Sequence, residues 1–324
     1  MTSKILITGI SGFIGRNVLR QLVQSHDSIT AIIRPGTKHQ RIEEFVNKVE
    51  FAEIDLTDIS TLKEYLDENS FEIIIHIGAL RGGRNFTKED YFNANVNATE
   101  QFIINAIANN SDFIYFSSVG VFGTSPEILP AHNRSPQKAE NYYYFTKKQS
   151  ESLIQKYILQ NLKACIIRPS VTYGIEDKGF PYKLIAMVDK KILFLPNKSV
   201  KIHLTNVDLL AQGVLKLIEK GFDSGSAYII ADPDLVELHQ LVDFISQELT
   251  QKDFGHLHRL DIRIFEFFIR LFKMIKKYNM VSSLEFLSKS WYYDVTLSYK
   301  DLGLKSVPTT SGFKKVIDWY KSTK

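Results

Sequence analysis

Glycines at positions 9, 12 and 15, set between an apolar run and an amphipathic one, constrain this chain more than any other feature. Lys4-Ile-Leu-Ile-Thr8 reads as a β-strand, Thr8-Gly-Ile-Ser-Gly-Phe-Ile-Gly15 as a tight turn, and Arg16-Asn-Val-Leu-Arg-Gln-Leu-Val23 as the helix it opens. Gly9 suits the turn, Gly12 lets the backbone approach a pyrophosphate, and Gly15 lets helix and strand pack closely. Free N–H groups and the dipole at the helix N-terminus favour such an anion. The pattern predicts a dinucleotide-binding βαβ unit.

Beyond this unit the chain alternates as an α/β fold with a doubly wound parallel sheet requires. Apolar runs predict strands over Lys4 to Thr8, Ser28 to Ile33, Val49 to Glu53, Ile73 to Ile77, Phe113 to Ser117 and Ala164 to Arg168. Helical patterns lie near residues 14–25, 58–67, 90–109 and 138–160. After Gly174 the rhythm breaks: residues 175–205, with Pro181 and Pro196, read as loop-rich, and the chain is mainly helical and aromatic from about 232. The expected organisation is a Rossmann-type domain over 1–174, with a sheet strand returning near 200–230, and a smaller, mostly helical substrate lobe over 175–324.

Lys plus Arg number 40 and Asp plus Glu 36, too small and scattered an excess for a nucleic-acid partner. It suits a phosphorylated small molecule. The single cysteine, Cys165, sits in an apolar run and reads as a small core residue of a reducing compartment. With the first strand starting at Lys4 and no apolar run near the ~20 residues that span a bilayer, a cytoplasmic protein without a transmembrane segment is expected. The nearest such run, 262–276, carries a polar stripe at Arg263, Glu266, Arg270 and Lys273. It reads as a helix packed on the body, with a dimer contact or a peripheral membrane contact as alternatives. No metal site is read from the sequence.

The spacing from Thr8 to Gly15 resembles the cofactor turn of the extended short-chain dehydrogenase/reductases, the group of nucleotide-sugar epimerases, dehydratases and ketoreductases. Further stretches resemble that family in order. Asp55-Leu56 is similar to its adenine-contacting acid and His76-Ile-Gly-Ala79 to its HxAA stretch beside the nicotinamide ribose, with Gly78 replacing an alanine. Asn95-Val-Asn-Ala-Thr99 resembles its NVxGT helix, Arg168-Pro-Ser-Val-Thr-Tyr-Gly174 its RPxxxYG strand end, and Asp294 to Leu304 with Trp319-Tyr320 its closing segment. The resemblance implies cofactor contacts from Gly9, Ser11, Gly12, Phe13, Ile14 and Gly15. It adds Arg34, Asp55, Leu56, Ile77, Gly78 and Ala79, together with Asn95, Ser117, Lys147 and Pro169. It also implies a homodimer through helices near 90–109 and 138–160.

Hydride chemistry at a carbinol or carbonyl needs a group that passes a proton to or from the oxygen. A tyrosine one helical turn ahead of a lysine can do this, because a nearby ammonium favours the phenolate. In Asn141-Tyr-Tyr-Tyr-Phe-Thr-Lys-Lys-Gln-Ser-Glu151 that spacing fits twice, as Tyr143 with Lys147 and as Tyr144 with Lys148. The family places a hydroxyl residue before the lysine and Glu four residues after it. Thr146 and Glu151 then single out Tyr143 and Lys147, leaving packing or surface for Tyr144 and Lys148. Phe116-Ser-Ser-Val-Gly-Val-Phe-Gly123 resembles the family's SSxxVYG, which makes Ser118 the third catalytic member and Ser117 its neighbour. Sugar 4,6-dehydratases of the family carry Asp-Glu directly after that hydroxyl. Val119 and Gly120 stand there and cannot exchange a proton, which argues against dehydration.

The second strand ends in Arg34-Pro-Gly-Thr-Lys-His-Gln-Arg41, where an acid would meet a ribose 2′-OH and an arginine meets a 2′-phosphate. NADP(H) is favoured, with NAD(H) the alternative. The first expectation is an NADPH-dependent reductase of a keto group on a nucleotide-linked sugar. Alternatives are a nucleotide-sugar epimerase with tightly bound NAD, a reductase of a non-sugar ketone or aldehyde, and a non-catalytic NADP-binding protein. Lys198 and Lys201 are candidate diphosphate contacts.

Overall fold

Short runs of Ile, Leu, Val and Phe that bury both faces become the strands of a parallel sheet, and the amphipathic stretches between them become its covering helices. The computed structural model describes residues 3–82, 86–255, 258–305 and 307–324. In chain order come β1 (Ile5–Thr8), α1 (Phe13–Leu22), β2 (Ile29–Ile33), β3 (Glu50–Glu53), α2 (Ile59–Glu68), β4 (Ile73–His76), α3 (Lys88–Phe92), α4 (Ala98–Asn109), β5 (Asp112–Phe116), α5 (Tyr142–Ile158), β6 (Lys163–Pro169) and β7 (Val171–Tyr173). Next are α6 (Phe180–Asp189), β8 (Leu195–Pro196), β9 (Lys201–Ile202), β10 (Leu204–Asn206), α7 (Val207–Lys220), β11 (Ala227–Ile230), β12 (Val236–Glu237), α8 (Leu238–Thr250), β13 (Arg259–Leu260), α9 (Ile262–Met274), α10 (Tyr278–Ser288), α11 (Thr296–Leu302) and α12 (Thr309–Thr323).

Seven strands form one sheet in the order β11-β6-β5-β4-β1-β2-β3. Every pairing in it is parallel, with Ile5 beside Ile29 and Ile73, and Ile114 beside Cys165. The strand order reverses between β1 and β4, the switch point where doubly wound sheets open a crevice. α1 and α7 cover one face through Val18, Leu19, Leu22, Leu210, Val214 and Leu217. α2, α4 and α5 cover the other through Leu62, Leu66, Phe102, Ile103 and Ile154. Each such side chain contributes about 1.5–3 kcal/mol when fully buried. Cys165 is a fully buried sheet residue, as expected.

The second half departs from expectation. Residues 175–205 contain a helix, α6, because Pro181 falls in its first turn, where a missing N–H costs nothing. The returning strand is β11, which pairs with β6 (Ala227 beside Ile166) and forms the sheet edge. α7 and β11 belong to the sheet's packing, so residues beyond 174 divide between sheet and lobe. The lobe gathers Leu184, Leu195, Leu241, Ile245, Trp291 and Phe313 from α6, β8, α8, α12 and the segment after α10.

Candidate active site

At the switch point the glycine turn does what its residues allow. Gly9 has φ +79°, and its carbonyl accepts from the Gly12 N–H at 3.0 Å. A Cβ on Gly9 would stand 2.7 Å from the Gly78 nitrogen, and a Cβ on Gly15 would overlap the Gly9 carbonyl. Glycine is therefore required at 9 and 15 so that β4 and α1 can close on the turn. Gly12 caps α1 without any side-chain bond, so the helix N-terminus offers its N–H groups outward. Phe13 and Ile14 begin α1 and are half-buried, while Ser11 lies at the turn itself.

Beyond the turn lies a cleft of about 390 Å³ lined by Gly9, Ser11, Arg34, Lys38, Arg41, Leu56, Gly78 and Ala79, among others. No carboxylate is among its lining residues. Arg34 is held over the Phe86 ring, 5.2 Å from its centroid, and its Nε lies 3.5 Å from Asp55 Oδ2. Asp55 turns its other oxygen to the Thr57 N–H and hydroxyl, both at 2.9 Å. It therefore orients Arg34 and its own loop, while Leu56 faces the cleft.

His76 is wholly buried. Its Nδ1 lies 2.8 Å from Thr8 Oγ1 and its Nε2 3.1 Å from Thr99 Oγ1, while Thr8 Oγ1 also accepts from the Gly78 N–H at 2.8 Å. Burial holds its pKa well below the ordinary value, so it stays neutral. Ile77, Gly78 and Ala79 are thereby fixed beside the glycine turn. Asn95 lies in the π-helical stretch Asn93–Asn97 between α3 and α4. Its amide accepts from the Leu80 N–H at 2.7 Å and donates to the Leu80 carbonyl and to Thr146 Oγ1, both at 2.9 Å. Expected as a cofactor contact, Asn95 is placed with its whole side chain clamping the loop after β4 to α5.

α5 is capped by Asn141, whose side chain accepts from the Tyr144 N–H at 2.9 Å. Four residues separate Tyr143 from Lys147, placing them one turn apart on the buried side; the Lys147 ammonium lies 6.0 Å from the Tyr143 ring and 4.6 Å from the Tyr115 ring. Lys147 is 2% exposed and donates to the Phe116 carbonyl at 2.6 Å. Burial pushes its pKa down to about 7, against the opposing charge of Glu151. Glu151 accepts from Arg168 Nε at 2.9 Å and Nη2 at 2.7 Å and from Gln137 at 2.7 Å, a largely buried network beneath the middle of the helix. Lys148 instead reaches the Gln137 carbonyl at 3.4 Å, on the neighbouring arc.

The electrostatics differ from expectation. Burial pushes the Tyr143 phenol up to about 12, and the charge that opposes this is that of Arg81. Arg81 acts likewise on Tyr144 and on Asp177, both raised by burial. It is exposed in the loop after β4, which offers no periodicity to mark it. Reading the sequence assigns Arg81 no role, although its charge acts on both phenols.

Ser117 and Ser118 come directly after β5. Ser118 caps the 3₁₀ turn Val119–Phe122 by accepting from the Gly120 N–H at 3.1 Å. Ser117 Oγ is buried without a hydrogen-bond partner among the described residues. Pro169 ends β6 beside Ile230. Lys198 and Lys201 are exposed in the lobe, and no group of His, Cys, Asp and Glu among the described residues could hold a metal. A dinucleotide fits these residues: an uncapped helix end, a cationic cleft and an unpartnered buried hydroxyl lie along one edge of the sheet.

Residues 5–231 match the NAD dependent epimerase/dehydratase family. The chain is 24% identical to an uncharacterised protein of Methanocaldococcus jannaschii, over 99% of this chain and 97% of that one. It is also 24% identical to a 4-hydroxy-2-methyl-3-oxo-4-farnesyl-3,4-dihydroquinoline-1-oxide ketoreductase of Stigmatella aurantiaca, over 75% of this chain and 72% of that one. The fold is shared with the UDP-glucuronic acid 4-epimerase from Bacillus cereus in complex with NAD, at a TM-score of 0.75 and 17% identity over 99% of both chains. No helix among the described residues is long and apolar enough to cross a membrane. With the glycine turn, the seven-stranded parallel sheet and the match across 5–231, the chain belongs to the NAD dependent epimerase/dehydratase family of extended short-chain dehydrogenases/reductases.

Proposed function

We propose that this protein is an NADPH-dependent reductase that acts on a keto group of a nucleotide-linked sugar. The observation that carries the cofactor choice is the cleft in which Arg34, Lys38 and Arg41 converge with no carboxylate among the lining residues. Such a set favours a 2′-phosphate over a bare ribose hydroxyl. Gly9, Ser11, Gly12, Phe13, Ile14 and Gly15 would hold the diphosphate, Leu56 the adenine, Ile77, Gly78, Ala79, Ser117 and Pro169 the nicotinamide end, and Lys147 its ribose. The bound dinucleotide supplies the hydride.

Tyr143 is the proton donor to the keto oxygen. A phenol raised to about 12 is protonated at neutral pH, which suits donation better than abstraction. Ser118 orients that oxygen, and Arg81 stabilises the charge that builds on the phenol as its proton leaves. Asn95 and Thr146 are positioning residues that hold α5 against the loop carrying Arg81.

The matching family and the UDP-glucose 4-epimerase of Caenorhabditis elegans, 28% identical over 57% of this chain and 61% of that one, favour a second reading as a nucleotide-sugar epimerase. The Stigmatella ketoreductase favours reduction of a non-sugar ketone. One experiment separates them: purify the protein, identify any nucleotide that remains bound, and monitor NADPH oxidation with nucleotide keto-sugars. NADPH consumption from an initially empty site supports the proposal. Tightly bound NAD with sugar interconversion and no net NADPH oxidation overturns it.

A further inference from the structure

Helix α9 carries more apolar surface than the rest of the chain covers. With 3.6 residues per turn, its charged residues Arg263, Glu266, Arg270 and Lys273 fall on one stripe, leaving two apolar arcs. The arc around Phe265 (4% exposed) and Ile269 (7%) packs on the lobe. The other does not: Ile264 is 40% exposed, Phe267 61%, Phe268 40% and Met274 79%. Ile275, Tyr278 and Met280 continue this exposed surface into the turn and first residues of α10. Phe267 and Phe268 lie edge to face at 5.5 Å, and Phe268 stacks on Phe272 at 6.0 Å, so the aromatic rings contact one another along the exposed helix. A contiguous aromatic surface of this kind marks a contact site.

Charge indicates what covers it. Residues 258–289 hold seven Lys or Arg against three Asp or Glu, a net of +4 that equals the excess of all 324 residues. Asp261 is committed to Arg263 at 2.8 Å, and Glu285 to Lys273 at 3.4 Å and Lys289 at 2.8 Å. Among the described residues no carboxylate pairs with Arg270, Lys276 or Lys277. A second basic and apolar stretch, Lys190-Lys191-Ile192-Leu193-Phe194, leads into β8, which pairs with β13 immediately before α9; Ile192 is 60% and Phe194 45% exposed.

We propose that the α9–α10 hairpin is a membrane-surface anchor that lies in the plane of an anionic bilayer. Phe267, Phe268 and Met274 enter the acyl boundary, while Arg270, Lys276 and Lys277 meet the headgroups. With 13 residues α9 is too short to span. A second copy of the chain fits less well, because an isologous contact brings two copies of this net-cationic patch face to face.

The test uses the full chain sedimented with phosphatidylcholine vesicles and with vesicles in which about a quarter of the lipid is phosphatidylglycerol. Binding to the anionic vesicles is expected, weakened by salt and about tenfold or more weaker on phosphatidylcholine alone. Phe267→Glu/Phe268→Glu should cost at least about tenfold without lowering the melting temperature, since both rings are exposed. Lys276→Glu/Lys277→Glu should weaken binding and flatten its salt dependence. Failure to bind either vesicle, or undiminished binding by the phenylalanine variant, overturns the proposal. So does a dimer in sedimentation velocity that the phenylalanine variant dissociates, which assigns the face to a second copy.

Discussion

The ring of Tyr144 occupies the space that a side chain at position 120 would need: a Cβ on Gly120 would overlap three of its ring carbons. That ring is thereby committed to the turn after Ser118, whereas Tyr143, 5.4 Å away between ring centroids, shares its helical turn with Lys147. Tyr143→Phe should lower kcat by about 10²–10⁴-fold while sparing cofactor affinity. Tyr144→Phe keeps the ring on Gly120 and should change kcat little. Steady-state kinetics on the two variants decide the register, and the reverse outcome would assign the proton to Tyr144.

Arg34 is the cation most firmly placed in the cleft beyond the glycine turn, between Phe86 and Asp55. Losing a charge-assisted hydrogen bond of about 1.5–3 kcal/mol should raise the Kd for NADPH roughly ten- to hundredfold. NADH, which has no 2′-phosphate, should bind Arg34→Ala about as well as the parent. Fluorescence titration measures both; equal affinities for the two nucleotides in the parent protein would remove the basis for the reductase reading.

Lys147 carries a pH signature. Its pKa falls from 10.5 to about 7 on folding, so between those values the unfolded chain holds a proton that the folded chain has released. Stability of the cofactor-free protein should therefore rise with pH across that window, because the unfolded state binds more protons there. Below about pH 7 both states are protonated and the slope from this group vanishes. Lys147→Met should flatten the rise, as read from urea unfolding across that pKa interval; an unchanged slope would show that Lys147 keeps its proton when buried.

The Arg168–Glu151 pair, at 6% and 4% side-chain exposure, anchors α5 to β6. Glu151→Ala leaves, among the described residues, a buried guanidinium with Asn133 Oδ1, at 2.9 Å, as its one side-chain hydrogen-bond acceptor and the Phe122 ring 5.3 Å away. The expected loss is about 3–5 kcal/mol in urea unfolding. A loss below about 1 kcal/mol would mean that water reaches the arginine once the carboxylate is gone.

Strands β1, β2, β4, β5 and β6 and the glycine turn were legible because a parallel sheet buried on both faces leaves apolar runs of characteristic length, and because Gly9 and Gly15 answer to backbone overlap. α6 was not, since Pro181 and Pro196 read as loop punctuation although a proline in a first turn is compatible with a helix. Their neighbours single out Tyr143 and Lys147 as the proposed pair, but not the sign of the electrostatics: spacing shows an ammonium one turn away and cannot show that burial outweighs it. Arg81 was invisible because the action of its charge on the two phenols arises from tertiary folding. Asn95 was found by resemblance, while its clamp on Leu80 and Thr146 depends on partners 15 and 51 residues away.

The late arrival of β11 bears on how the chain is made. β6 pairs with β5 as soon as both exist, but its outer edge is met only by Ala227–Ile230, some sixty positions downstream of Ile166. During synthesis that edge stays open while β7, α6, β8, β9, β10 and α7 leave the ribosome, with Cys165, Ile166 and Ile167 on a strand paired on one side only. A nascent chain halted between 174 and 226 is thus the species most exposed to edge-to-edge association, and chaperone dependence should peak over that interval.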